Sequence, residues 1–136
     1  MKKITKARTC VYNVNYHIVW AVKYRHKILN SLIENRIKEI FNEISIDKGF
    51  IIHEIEVGEC DHIHVFVSAH PKVAPSYIVK MLKGISARKI LMEFPELSKK
   101  LWDGNLWSHS FYLETVGLVS EEAIKEYIKK QKKGDE

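Results

Sequence analysis

Asp61-His62-Ile63-His64 runs directly into Val65-Phe66-Val67. One hydrophobic residue between two histidines, followed by an apolar segment, places both imidazoles on one face of a strand, because strand side chains alternate. Two imidazoles are half of a metal site. Near the C-terminus Tyr127 and Gln131 stand four apart, and at that spacing two residues of a helix share a face and can enter the same site. Together they suggest tyrosine chemistry on a metal-bound phosphate. A phenol titrates at about pH 10 and attacks poorly at neutral pH unless its electrophile is polarised or its proton removed. A divalent cation beside the phosphate does the former. Two imidazoles leave such a cation open positions, and the amide oxygen of Gln131 suits Mg2+ or Mn2+ as a third ligand. A lone His-x-His in a strand is more often packing than a ligand pair, and a lone tyrosine on an amphipathic helix is more often core than nucleophile. The combination carries the signal.

The elements that must position these groups follow from periodicity. From Val11 to Val22, Tyr12, Val14, Tyr16, Ile18 and Trp20 alternate with Asn13, Asn15, His17 and Val19, the period-two pattern of a strand. The loop from Lys23 to Lys27 leads to Ser31, which with Glu34 fits a capping box for a helix turning Leu32, Ile33, Ile37, Ile40, Phe41 and Ile44 inward. Gly49 suits its C-terminal cap. Residues 50–58 and 62–69 read as an antiparallel hairpin turning between Gly58 and Asp61. After Pro71 and Pro75 a second helix carries Ile78, Met81, Leu82 and Ile85 on one side and fades near Pro95. Leu106 to Thr115 reads as a fourth strand. A last helix, capped at Ser120 within a staple of Val119 and Ile124, runs from an acidic start to a lysine-rich end.

This order, βαββαβ plus a C-terminal helix, predicts an α+β ferredoxin-like (RRM-like) fold: a four-stranded antiparallel sheet with two helices on one face. Ile63, Val65 and Val67 should face the helices, leaving His62, His64 and Phe66 on the opposite, open face. His17 belongs to that face by the same alternation.

A chain of 136 residues reads as a single domain, 1–136, with flexible ends at about 1–8 and 133–136. Its 22 Lys and Arg against 17 acidic residues, a net charge of +5, mildly favour anionic partners such as nucleic acid. Cys10 and Cys60 lack C-x-x-C spacing and read as reduced thiols of a cytoplasmic protein, each packed as a small hydrophobe. No apolar segment is long enough to span a bilayer, and Met1-Lys2-Lys3 is not followed by a signal-type run, so no membrane partner is expected.

Read together, Tyr16-His17-Ile18-Val19-Trp20 with Lys23-Tyr24-Arg25, Asp61-His62-Ile63-His64, Val79-Lys80-Met81-Leu82-Lys83-Gly84, Leu106-Trp107-Ser108-His109-Ser110 and Tyr127-Ile128-Lys129-Lys130-Gln131 resemble the small single-tyrosine HUH transposases of bacterial and archaeal insertion sequences. The resemblance covers nearly the whole chain. It implies that His62 and His64 are metal ligands, Gln131 a third, and Tyr127, on the C-terminal helix, the nucleophile. It further implies cleavage and rejoining of single-stranded DNA through a 5′-phosphotyrosine, hairpins at the element ends as substrate, and a homodimer whose tyrosine helix completes the partner's site in trans. Two local departures stand out: Cys60 and His109 occupy positions where proline is common among the relatives.

Lys23, Arg25, Lys83 and Arg88 are candidate phosphate contacts. Trp102 and Trp107 could stack on bases, although core or dimer packing suits both better. Two other functions fit parts of the pattern. One is a non-catalytic or domesticated ferredoxin-like module that binds single-stranded nucleic acid. The other is a metal-dependent phosphoesterase that uses water while Tyr127 packs.

Overall fold

The computed structural model describes residues 5–6, 11–12, 14–101, 103–117 and 129. Two short strands, β1 (Thr5–Lys6) and β2 (Val11–Tyr12), pair in a ladder of their own within and beside the span expected as an N-terminal end. The alternating segment expected as one strand is therefore divided, and its main part is β3 (Asn15–Ala21). Then follow α1 (Ser31–Lys48), β4 (Ile51–Gly58), β5 (His62–Ser68), α2 (Pro75–Glu93), the short α3 (Leu97–Lys100) and β6 (Tyr112–Val116). Four strands make an antiparallel sheet in the order β4-β5-β3-β6. This is the expected ferredoxin-like arrangement, with β3 and β5 central.

The core lies between one sheet face and the two long helices. Ile18 and Trp20 of β3, Ile55 of β4, and Ile63, Val65 and Val67 of β5 pack in one cluster with Ile33, Ile37, Ile40, Phe41 and Ile44 of α1 and Ile78, Leu82 and Ile90 of α2. Each such side chain contributes roughly 1.5–3 kcal/mol by leaving water, and every residue of β5 is buried. Arg36 of α1 and Glu93 of α2 join the helices on their outer side, with Nε to Oε1 at 2.6 Å and Nη2 to Oε2 at 2.9 Å.

Several local expectations change. The α1 cap is Asn30, not Ser31: the Asn30 side chain accepts from the Ile33 amide at 3.0 Å, the capping interaction that Ser31 was expected to make with Glu34. Leu32 is 66% exposed rather than inward, because the α1 stripe begins at Ile33. Strand β6 starts at Tyr112, not Leu106. Leu106 and Trp107 enter the core instead, and Trp107 Nε1 donates to Ser86 Oγ at 2.9 Å, which supports packing over base stacking for this residue. Strand β4 is bulged between Ile52 and Glu54. The extra residue, His53, lets Ile52 and Ile55 both reach the core although they are three apart. Cys60 is exposed rather than packed, because it falls in the turn between β4 and β5; the readings of Cys10, Trp102 and the last helix, with its cap at Ser120 and staple of Val119 and Ile124, lie outside the described residues, as does the 133–136 end.

Candidate active site

Strand β5 presents His62 and His64 on the sheet face turned from the helices, as alternation predicts. The face is covered rather than open, however: His17 is 1% exposed and His62 and His64 each 4%. Alternation assigns a side of the sheet but says nothing of what packs over that side.

Buried imidazoles need partners for their polar atoms, and both have them. The His62 Nδ1–H donates to Asp61 Oδ1 at 2.8 Å. Burial raises the Asp61 pKa, but the hydrogen bond from His62 and the charges of Arg25 and Lys27 outweigh it and hold the carboxyl below its ordinary 3.8. Arg25 Nε lies 3.3 Å and Lys27 Nζ 3.7 Å from Asp61 Oδ2. His64 Nδ1 lies 3.0 Å from His17 Nε2. The two β5 rings stand 5.2 Å apart between centroids at 66°. With His62 Nδ1 donating to the Asp61 carboxylate, the lone pair of that ring falls on Nε2, and two imidazoles side by side on one strand are a donor set that fits a divalent metal. Among the described residues, no three His, Cys, Asp or Glu side chains gather as a complete ligand set. The expected third ligand Gln131 and nucleophile Tyr127 lie outside the described residues.

The loops at this end of the sheet are tightly formed. Tyr24 and Arg25 take left-handed backbone, φ 58 and 56, and so do Glu59 and Cys60, φ 51 and 62, a conformation uncommon outside glycine. The first pair turns Arg25 back onto Asp61; the second closes the β4–β5 hairpin directly before His62. Proline cannot adopt the φ of Cys60. Beside His62 opens a groove of about 300 Å³, bordered by Arg25, Ser108, Ser110, Phe111 and Tyr112. Phe111 and Tyr112 are 43% and 57% exposed.

The four candidate phosphate contacts separate. Arg25 borders the groove and keeps an exposed side chain despite its pairing with Asp61. Lys23 sits near the same loop, its Nζ 5.4 Å from the Tyr24 ring centroid. Arg88 is exposed on α2. Lys83 is half-buried, and its Nζ donates to the carbonyls of Ser108, His109 and Ser110 at 2.5, 3.4 and 3.4 Å. Burial pushes its pKa below the ordinary 10.5. Its charge fastens the 108–110 loop from within the chain. The sequence reading missed the roles of Asp61 and Glu114, the second of which bonds His17 across the sheet. The proximity of Asp61 to His62 was a usable signal; the pairing of Glu114 with His17 had none.

The chain matches the sequence profile of the family described as IS200-like transposases over residues 10–131. It is 39% identical over 129 residues to the ISDra2 transposase TnpA of Deinococcus radiodurans, a match spanning 95% of this chain and 91% of that protein. It is 32% identical over 124 residues to the transposase for insertion sequence element IS200 of Salmonella typhimurium, spanning 91% of this chain and 80% of that one. A crystal structure of a candidate transposase from Deinococcus radiodurans R1 superimposes with a TM-score of 0.78 at 36% identity, over 94% of this chain and 98% of the other. A REP-associated tyrosine transposase bound to a REP hairpin shares the fold, with a TM-score of 0.57 at 11% identity over 91% and 67% of the two chains. None of the described helices is long and apolar enough to cross a membrane. With a profile match over most of its length and relatives above 30% identity along nearly all of it, the chain belongs to the IS200-like transposase family.

Proposed function

We propose that this transposase cuts and rejoins single-stranded DNA at insertion-sequence ends through a phosphotyrosine on Tyr127. The observation that carries the reading is the pair His62 and His64, adjacent on one buried sheet face with each Nδ1 hydrogen-bonded. His62, His64 and Gln131 would hold Mg2+ or Mn2+, which supplies Lewis-acid polarisation of the scissile phosphate. Tyr127 Oη attacks phosphorus as the bond from phosphorus to the 3′ oxygen breaks. The phenol loses its proton, the 3′ oxygen gains one and departs as a hydroxyl, and the 5′ phosphate stays on Tyr127. Attack by another 3′-hydroxyl reverses these bond changes and joins new ends, with no external energy source.

The groove beside His62 gives the strand a path. Arg25 at its border suits a phosphate, and the exposed rings of Phe111 and Tyr112 suit unpaired bases. The hairpin in the REP-associated relative supports a folded DNA hairpin as the recognised end. Excision must process two ends with one tyrosine per chain, so the acting species is a homodimer, each tyrosine helix completing the partner's site, in the cytoplasm where the element's DNA lies.

The test is incubation of the protein and Tyr127→Phe with Mg2+ and labelled single-stranded DNA carrying the element ends, followed by denaturing electrophoresis. A denaturation-resistant adduct with the unaltered protein and none with Tyr127→Phe is expected. Cleavage by both without an adduct would mean metal-activated water, and binding by both without cleavage a non-catalytic module.

A further inference from the structure

His17 occupies the middle of β3, opposite Phe66 on β5 and Glu114 on β6. His64 pairs with Val19, two residues along, so His17 and His64 are diagonal neighbours on the same face. The His17 ring is 1% exposed and lies on Phe66, with centroids 4.8 Å apart at 14°. Its plane is within 8° of the His64 plane, and at a centroid separation of 5.2 Å with nitrogens 3.0 Å apart the two rings meet edge to edge. The other nitrogen, Nδ1, lies 3.3 Å from Glu114 Oε1. Glu114 is itself held, since Tyr112 Oη donates to its Oε2 at 2.9 Å.

The proton positions in this row follow from the carboxylate end. An ionised Glu114 only accepts, so the His17 proton sits on Nδ1. A ring that carries its proton on Nδ1 has its lone pair on Nε2, which takes the proton of His64 Nδ1. The lone pair of His64 then lies on Nε2, the nitrogen a metal would take. We infer that His17 and Glu114 are positioning residues: the row Glu114–His17–His64 fixes the tautomer and ring direction of His64 for metal binding, as Asp61 does for His62. The inference rests on the metal-site reading above. It adds supporting residues from two further strands, so the site depends on the β5-β3-β6 register and not on β5 alone.

The relay makes different demands on different replacements. Phenylalanine at residue 17 keeps a ring against Phe66 but offers His64 no acceptor. Glutamine offers an amide oxygen within reach of His64 Nδ1–H. Partners of this kind are worth about 10- to 100-fold in metal affinity.

The experiment is calorimetric titration of the full chain with Mn2+, alongside long-range 1H–15N NMR of the histidine rings without metal, on the unaltered protein, His17→Phe, His17→Gln and Glu114→Ala. Expected are a loss of at least about 10-fold in Mn2+ affinity for His17→Phe, substantial recovery in His17→Gln, and a shift of His64 away from the Nδ1–H tautomer in His17→Phe alone of those two. Glu114→Ala, at the half-buried edge strand, removes the anchor without opening the core, so it decides the matter if His17→Phe melts early; it too should weaken Mn2+ binding and mix the His17 tautomers. Unchanged Mn2+ affinity with an unchanged His64 tautomer, in whichever of these variants folds, overturns the inference. Absence of Mn2+ binding by the unaltered protein overturns the metal reading instead, and the metal-free NMR then still shows whether the row sets the His64 tautomer.

Discussion

The ring of His62 occupies space that any side chain at residue 58 would take. Gly58 pairs with His62 across the hairpin, and a Cβ there would fall inside contact distance of Nε2 and Cε1 and 3.2 Å from Cδ2. The constraint is one of room, since Gly58 is not among the glycines with positive φ. Gly58→Ala is therefore expected to turn the His62 ring from its seat and weaken Mn2+ binding by about 10-fold or more, within the range seen when a ligand's support is lost, with little change in melting temperature. Calorimetric titration reads it. Affinity equal to the unaltered protein would mean that this orientation of His62 is not the metal-binding one. At this scale the sequence was informative about kinds of residue and poor about partners: His62 and His64 could be paired by alternation, whereas the hydrogen of Gly58 mattered only once the hairpin register was known.

Among the elements, the helices were the most readable and their ends the least. The α1 stripe from Ile33 to Ile44 follows helical periodicity, but the cap fell on Asn30 although Ser31 and Glu34 have the side chains of a capping box. Both residues can cap, and the path of the preceding chain decides between them; here Leu29 is buried and its amide is tied to the Cys60 carbonyl at 2.9 Å. The α1–α2 contact also carries a pH response. Glu93 is held below its ordinary 4.5 chiefly by its hydrogen bond from Arg36. A depressed folded-state value means that the pair's stabilisation is present above the unfolded pKa and is lost as pH falls through the lower folded one. The melting-temperature difference between the unaltered protein and Glu93→Gln should thus favour the former at about pH 7 and shrink progressively as pH falls below the ordinary 4.5 of a glutamate. An equal difference throughout would remove this pair from the acid response.

For the whole molecule, the site is a meeting of distant segments, and the groove beside His62 should show which cations meet DNA. Arg25→Ala is expected to weaken binding of single-stranded DNA and flatten its salt dependence by about 0.7 in the logarithmic slope, the share of one phosphate contact. Lys83→Met is expected to weaken binding by releasing the 108–110 loop that borders the groove, with the slope unchanged. Anisotropy titrations across a salt series separate the two, and a flattened slope for Lys83→Met alone would reverse the assignment. The order of the four sheet strands and two long helices, the two-faced β5 with its histidines, and the inward stripes of α1 and α2 were determined by the sequence itself, because period two and period 3.6 are properties of neighbouring residues. The bulge at His53, the start of β6 at Tyr112, the covering of the histidine face and the bond from His17 to Glu114, 97 residues away, were decided only by tertiary structure. Strand register and layer packing join residues far apart in the chain, and no local pattern encodes which of them will meet.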